Sequence, residues 1–514
     1  MKKNLFLILS AAALVSFAGC NKDEITTVES GTTGSYEDTD FDRTVTIAFS
    51  SGGTATVSGA GSEQSVSVSG NGVTIANAGS EVVKYSVTGT ATDGYLKIYS
   101  ASGQAIFLDG ASITNPTGAA INIQGPTSAP SSGAVTYLVL SGSNTLCDGT
   151  SYTSTPTDED EKGVVFGEGS ITISGDGSLT VTAKGKSGIV SDDNVTLNGG
   201  TVTIASTAST FVSSGDTTKV AGLKAKDAFV MNDGTLTITC SGTGAKGMSG
   251  DGTATFNGGT VRITVTGSNF GASSGGSGGG PGGGGPGGQS SSDNSVAAKG
   301  IKFDESVTFN GGTVIVSASN HEGIESKGEL TVNGGHVYSK STDDAINSAS
   351  TMTISGGYLC AYSTGNDGID ANGNLYITGG VVYAIGTSSP EVAIDANTEG
   401  GYKLYVQGGT LIAIGGLESG SSLSQSCYSA SSWSSSTWYS MTVGSTVYAF
   451  KTPSSGGSGL VVSGSSQPSL KSGVTASGGT EYFEGMLLSD PTVSGGTTVS
   501  LSSYTGNSGG GPHK

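Results

Sequence analysis

A motif of about 23 residues recurs between Lys299 and Asn397 and limits what this chain can fold into. Each copy has Gly or Ala followed by Ile, and most copies carry a Gly-Gly pair about ten residues later. The steps between successive isoleucines are 23, 22, 23 and 25 residues. A fixed period of this size is typical of a solenoid, in which each repeat packs only on its neighbours. The isoleucines are Ile301, Ile324, Ile346, Ile369 and Ile394.

Each repeat contains three short runs in which every second residue is apolar. Leu330-Thr-Val332 precedes a Gly-Gly pair, Val337-Tyr-Ser339 follows it, and the third run carries the isoleucine. Period-two alternation over three to six residues predicts strands. Three strands and three turns form no independent sheet, but each strand can pair with its copy one coil along, about 4.8 Å away. We therefore predict an all-β, right-handed, single-stranded parallel β-helix with three strands and about 22–25 residues per coil.

The pattern also divides the chain. Weaker copies, such as Gly163-Val164 and Gly188-Ile189, extend the repeat upstream, and short irregular strands flank it on both sides. Strand edges at both ends of such a stack need caps. The predicted segments are a lipoprotein signal peptide (1–19), a flexible tether (20–43), an N-terminal cap with the first coils (44–122), the parallel β-helix (123–416) with a Gly-rich loop (271–294), and a C-terminal cap with strands along the solenoid (417–514).

The first residues indicate export. Two lysines precede an apolar run that ends in Ala18-Gly19-Cys20, which is typical of a signal peptide. The ending resembles a bacterial lipobox, which implies lipidation of Cys20 and a membrane anchor. The acidic stretch Asn21–Glu24 resembles the export signal of bacterial surface lipoproteins. We expect an outer membrane lipoprotein exposed at the cell surface; the alternative is one that faces the periplasm.

The net charge of −19 and the sequence pI of about 4.4 argue against nucleic acid as a partner. A cation fits better, because a solenoid places like charges one coil apart. Four cysteines outside the signal segment are far apart and have no metal-type spacing, so we predict no disulfide framework. Zinc is poorly supported, since the chain has three histidines and no pair at i, i+4. We expect a monomer.

Two series of polar residues flank the Gly/Ala-Ile pair and should stack on one turn, which we call the turn ladder. Carboxylates about 4.8 Å apart repel one another. Ca²⁺ takes six to eight oxygen ligands and would offset that repulsion. The alternative is a solvated ladder held by side-chain-to-backbone hydrogen bonds. The candidate metal ligands are Glu322, Glu325, Asp344, Asn347, Asp367, Asp370 and Asp395.

Aromatic residues align on the outward side of the strand that follows Gly-Gly. Ranked tyrosines offer sugar rings an apolar platform with hydroxyl groups, which predicts glycan binding. The alternative is that the same rings pack beneath the C-terminal segment, because outward isoleucines nearby also need a cover. The candidate carbohydrate-binding residues are His336, Tyr338, Tyr358, Tyr362 and Tyr383.

The repeat of the form Asp-Gly-Ile-Asp…Leu-Tyr-Ile-Thr-Gly-Gly, the Lys-Gly-Ile-Lys sequence after a Gly/Pro-rich insertion and the lipoprotein start resemble the calcium-binding β-helix carbohydrate-binding proteins. The likeness covers about residues 95–416. It implies a pectate-lyase-like fold, Ca²⁺ on the turn ladder and binding of cellulose or polygalacturonate. Val392 interrupts the ladder and leaves the last site the least complete.

We therefore expect a surface lipoprotein that binds acidic pectic glycan or cellulose on a Ca²⁺-stabilised scaffold, with no catalytic residue. The first alternative is a Ca²⁺-dependent polysaccharide lyase, with Lys299 and Lys302 at the edge of the turn ladder as its cationic groups. The second is a non-catalytic adhesin or spacer.

Overall fold

The computed structural model describes residues 40–153, 158–271 and 295–506. These residues form an all-β structure of 49 strands, with no α-helix. Within this part of the chain, no helix is long and apolar enough to cross a membrane. Most strands lie in three parallel ladders, to which successive repeats contribute one strand each.

The first ladder contains the strands that carry the Gly/Ala-Ile pair. It opens with an antiparallel hairpin and is parallel from there on. Two isolated parallel bridges, Ile369 with Ile394 and Ile394 with Leu417, extend it. Its strands are Gln64–Ser69, Gly72–Asn77, Tyr95–Ser100, Ile121–Gln124, Gly163–Gly167, Ser187–Ser191, Ala221–Ala225, Lys246–Gly250, Ile301–Phe303, Ile324–Ser326, Ile346–Ser348 and Ile369–Ala371.

The second ladder contains the strands that precede the Gly-Gly turns. The second glycine of each turn, such as Gly335 and Gly357, has a positive φ, and an added Cβ would meet the backbone of the neighbouring turn. The strands are Arg43–Phe49, Val83–Ala91, Gln104–Asp109, Thr136–Ser141, Ile171–Gly175, Val195–Leu197, Ala228–Met231, Thr253–Phe256, Ser306–Phe309, Glu329–Val332, Met352–Ile354, Leu375–Ile377, Leu404–Val406 and Ser422–Leu423.

The third ladder contains the strands that follow the Gly-Gly turns. Three antiparallel strands, Leu460–Ser463, Cys427–Ala430 and Ser502–Tyr504, continue it at its C-terminal end. Its parallel strands are Ser112–Asn115, Ser143–Asp148, Ser178–Ala183, Thr201–Ser206, Thr235–Cys240, Thr260–Val265, Thr313–Ala318, His336–Ser341, Tyr358–Ser363, Val381–Ile385 and Thr410–Ile414.

The predicted isoleucine stack is present in the register of the first ladder. Ile301 pairs with Ile324, Ile324 with Ile346, and Ile346 with Ile369, and all four side chains are fully buried. Upstream, the predicted position of the repeat is wrong by one residue. The residue that pairs with Ile189 is Val165 and not Val164. The inward residues of the three ladders form one continuous apolar core.

A six-stranded antiparallel sheet from the C-terminal part packs on the outward side of the third ladder. Its interior joins outward residues of that ladder, such as Tyr383 and Ile412, to Met441, Phe450 and Leu487 in a second apolar core. Its strands are Trp438–Val443, Thr446–Lys451, Ser469–Ser477, Thr480–Tyr482, Leu487–Ser489 and Thr492–Val499. The remaining strands are Thr56–Ser58, which pairs with Arg43–Phe49, and the hairpin Phe211–Ser213 with Asp216–Thr218.

Several predictions fall outside the described residues. The signal peptide, the lipidated Cys20, the tether as far as residue 39 and residues 272–294 of the Gly-rich loop belong to this group.

Candidate functional site

The upstream end of the turn ladder is neutralised by lysines. Lys299 Nζ donates to Glu322 Oε1 at 3.1 Å and to Glu325 Oε2 at 2.6 Å, and Lys327 Nζ lies 2.5 Å from Glu325 Oε1. Glu325 is buried, which by itself would raise the pKa of its carboxyl, but the two lysines hold that pKa below its ordinary value. Lysines thus compensate the charge at Glu322 and Glu325, which are the predicted ligands with least need of a metal.

The downstream rungs of the turn ladder, each contributed by one repeat, lack such compensation. No lysine or arginine of the described residues lies within 4.0 Å of the carboxylates of Asp344, Asp367, Asp370 or Asp395. Burial, followed by repulsion from nearby carboxylates, raises the pKa of Asp344 to about 8 and that of Asp370 to about 6. For Asp367 the same causes, burial first, raise the pKa to about 8 despite a hydrogen bond from Val392 N–H. Without a cation, this cluster therefore holds protons near neutral pH.

Asn347 lies between two of these carboxylates. Its side-chain amide donates to Asp344 Oδ2 at 3.2 Å and to Asp370 Oδ2 at 2.7 Å. The partly positive NH₂ group occupies the point at which these two anions meet. Rotation of the amide would place its oxygen there, and that oxygen and the two carboxylates are all hard donors of the kind that Ca²⁺ prefers.

The ladder has one acidic rung that we did not predict. Ile394 bridges in parallel to Leu417, and Asp395 hydrogen-bonds Glu418, which is buried. Burial and this contact raise the pKa of Asp395 to about 9. The signal was present in the sequence, because Gly416-Leu417-Glu418 repeats the pattern Gly-Ile-Asp. The predicted end of the β-helix, residue 416, falls within that pattern.

The predicted ligands do not converge on one point in the described structure. The groups of three acidic or histidine side chains whose ligand atoms lie within 4.8 Å of one another are His321 with Glu322 and Asp343, and Asp160 with Glu168 and Asp192. In the second group Lys162 contacts both aspartates and supplies the positive charge. The donors on the aspartate rungs are oxygen atoms of the kind that a hard cation prefers. Carboxylates from adjacent rungs would have to hold the ion in pairs.

Three of the five residues predicted to bind carbohydrate are buried beneath the C-terminal sheet. Tyr383 is fully buried and its hydroxyl donates to Lys451 O at 2.9 Å, while Tyr338 and Tyr362 are 7% and 9% exposed. All three belong to the core between the third ladder and that sheet. The prediction that they form an open platform is wrong, because the strands that follow the repeat cover this face; the alternative that they pack there is the one observed.

The other two predicted residues lie at the margin of that sheet. The ring of Tyr358 stacks on Tyr482 with a centroid separation of 3.8 Å, and the ring of His336 meets Tyr482 edge-on at 4.8 Å. His336 is exposed and Tyr358 is half-buried. These two side chains remain accessible at one edge, with Tyr482 as a third member of the cluster.

A different aromatic pair lies on the second ladder. Tyr376 pairs in register with Tyr405, and their rings stack at 4.8 Å with an interplanar angle of 12°. Both side chains are partly exposed, and Tyr376 pairs with Thr353 on its other side. The outward position continues along the ladder as a row of partly exposed threonines, namely Thr353, Thr331, Thr308 and Thr255. A flat row of hydroxyl groups that ends in stacked rings is a surface on which a sugar chain can lie.

A family model described as carbohydrate-binding domain-containing protein matches residues 69–345 and 317–368. No curated protein matches the chain. A solved structure of a polysaccharide lyase-like protein from C. thermocellum, a gadolinium derivative, is similar at 19% identity; the match covers 66% of this chain and 94% of that chain, with a TM-score of 0.32. Because the family model covers more than half of the 514 residues, the chain belongs to the family of carbohydrate-binding domain-containing proteins.

Proposed function

We propose that the protein binds a plant-type polysaccharide, either an acidic pectic glycan or cellulose, and does not cleave it. The observation that carries this proposal is the stacked, partly exposed pair Tyr376 and Tyr405 at the end of a row of threonines. The stacked rings would receive the apolar face of a pyranose, and the threonine hydroxyls would bond its equatorial groups. Membership of a carbohydrate-binding family supports the same function.

We propose that Ca²⁺ stabilises the turn ladder. The ions would be held by Asp344, Asp367, Asp370 and Asp395, with Asn347 and Glu418 as further oxygen donors. Support comes from the pKa values of the aspartates, which burial and mutual repulsion raise, since a divalent cation would offset both costs. Glu322 and Glu325 would contribute less, because Lys299 already neutralises them.

We further propose that the three ladders wind as a right-handed, single-stranded parallel β-helix. The repeat-to-repeat pairing of three strands supports it. The signal segment and Cys20 support anchoring at the outer face of the outer membrane. A single chain suffices for this arrangement.

Lyase activity is the second candidate function. A specific observation favours it, namely that Lys246 is buried and its pKa is lowered to about 8, first by burial and then by neighbouring lysines. A lysine that loses its proton near neutral pH can act as a base toward the proton next to a uronate carboxylate.

Two assays decide between these functions. Migration of the protein should be retarded in native gels that contain polygalacturonate or soluble cellulose derivatives, in calcium, relative to gels without polymer. Incubation with polygalacturonate should produce no rise in ultraviolet absorbance from unsaturated products. Such a rise would overturn the non-catalytic proposal, and absence of retention on every polymer would favour the adhesin or spacer.

A further inference from the structure

A cavity of about 260 Å³ opens on the first ladder, just upstream of the turn ladder. Its wall includes side chains from four successive rungs, which the pairs Leu223–Met248, Met248–Ile301 and Ile301–Ile324 hold in register. The volume is close to the lower end of ligand pockets, which hold roughly 300–1,000 Å³. It therefore has room for a group the size of one sugar unit. We call it the lysine pocket after the residues that line it, Lys219, Lys224, Lys246, Lys299, Lys302 and Lys327.

The lysine pocket is cationic in a strongly anionic chain. Against its six lysines stand three carboxylates, Asp251, Asp304 and Glu325. Lys302 contacts Asp304, while Lys299 and Lys327 share Glu325. Among the described residues, the remaining lysines, Lys219, Lys224 and Lys246, have no carboxylate within 4.0 Å. The pocket thus concentrates positive charge that the protein does not compensate.

Lys246 is the most informative of these side chains. It is 9% exposed and has no carboxylate partner among the described residues. Burial lowers its pKa to about 8, and Lys299, Lys219 and Lys302 add to that effect, while Glu325 opposes it. A largely desolvated ammonium group without a carboxylate partner is costly. An anion in the pocket would remove that cost and would be held by several donors at once.

We infer that the lysine pocket binds the oxyanion group of an acidic sugar, which is either the carboxylate of a uronic acid or a sulfate ester. The inference rests on the proposed function, because the anion would be part of the glycan. A turn at Asp304 and Glu305 joins the strand of Lys302 to the strand of Thr308. One sugar chain can therefore place an acidic group in the pocket while its neutral faces lie on the second ladder.

Calorimetric titration at low salt tests the inference. The probes are a trisaccharide of uronic acid units, a sulfated trisaccharide and the neutral trisaccharide of the same linkage. The variants are Lys246→Met and Lys224→Gln, and the matched control is Lys471→Gln, an exposed lysine on the C-terminal sheet. Thermal melting of each variant confirms that it is folded.

At least one acidic probe should bind the wild type, with affinity lowered at least about tenfold in both variants and unchanged in the control. Whether the uronate or the sulfated sugar binds identifies the source of the oxyanion. The inference is overturned if neither acidic probe binds, or if both variants bind as the wild type does. Retention of the variants by neutral polysaccharide gels would then show that the proposed function survives without the pocket.

Discussion

The side-chain amide of Asn347 donates to Asp370 Oδ2 at 2.7 Å, across one step of the turn ladder. It is a neutral bridge in a series of carboxylates, and upstream of it the same ladder uses Lys299 to bridge Glu322 and Glu325. The ladder thus changes from rungs that the protein neutralises to rungs that it leaves acidic. The properties of the acidic rungs give the first two predictions.

Without metal, the stability of the protein should fall as pH rises. The pKa values of Asp344 and Asp367 are raised from an ordinary value of 3.8 to about 8 in the folded state. Between these values the folded state binds more protons than the unfolded state, so the free energy of unfolding declines as pH increases through the window. In chelator, we expect the melting temperature to be at least about 2 °C lower at about pH 8 than at about pH 5. An equal or higher value at the upper pH would contradict the assignment.

Added Ca²⁺ should reverse that loss. A ligand that binds only the folded state at one hundred times its dissociation constant stabilises it by about 2.7 kcal/mol. We expect millimolar calcium to raise the melting temperature at neutral pH, and Asp344→Asn with Asp367→Asn to remove most of the increase. The control is Asp216→Asn, which changes an exposed carboxylate in a hairpin. An undiminished response in the double variant would place the calcium elsewhere.

The isoleucine stack should dominate local stability. Ile346 is fully buried and pairs with Ile324 and Ile369. Replacement by Ala removes buried methyl groups and leaves a cavity, which costs about 2–5 kcal/mol. We expect Ile346→Ala to lower the midpoint of urea unfolding clearly, whereas Thr331→Ala, on the outward side, should change it little. Equal effects of the two variants would mean that the register is wrong.

Tyr383 should act in packing and not in binding. Its hydroxyl donates to Lys451 O and its ring lies at 5.6 Å from that of Phe450. Tyr383→Phe loses one buried hydrogen bond, worth about 1 kcal/mol. We expect lower thermal stability with unchanged glycan retention, measured on the same preparation. A selective loss of retention would return this residue to the binding surface.

Residue patterns predicted the repeat and its inward face well, because burial imposes strict alternation on each strand. The pairing of Ile301, Ile324, Ile346 and Ile369 follows directly from their spacing. The slip at Val164 has an equally simple reason, since adjacent Val164 and Val165 fit the same inward position by composition.

The outward faces were harder to predict. Tyr383 on the third ladder and Tyr376 on the second are the same residue type in similar alternating strands. The path of the C-terminal strands decides which of them is covered, and the outward isoleucines near Tyr383 were a local indication of that cover. The pocket was harder to predict in a different way: Lys299 and Lys302 were visible at the edge of the turn ladder, but the pocket depends on the register of four rungs.

The retention of a Tyr376→Ala, Tyr405→Ala double variant in polysaccharide affinity gels tests most directly whether this face binds the glycan. Loss of both rings should weaken retention at least about tenfold, which corresponds to about 1.4 kcal/mol, because the variant removes the apolar ring surface that the sugar would contact. Phe211→Ala, a partly exposed ring in a hairpin elsewhere, should be retained like the wild type. Wild-type retention by the double variant, with its melting temperature unchanged, would contradict the claim that this face binds the glycan.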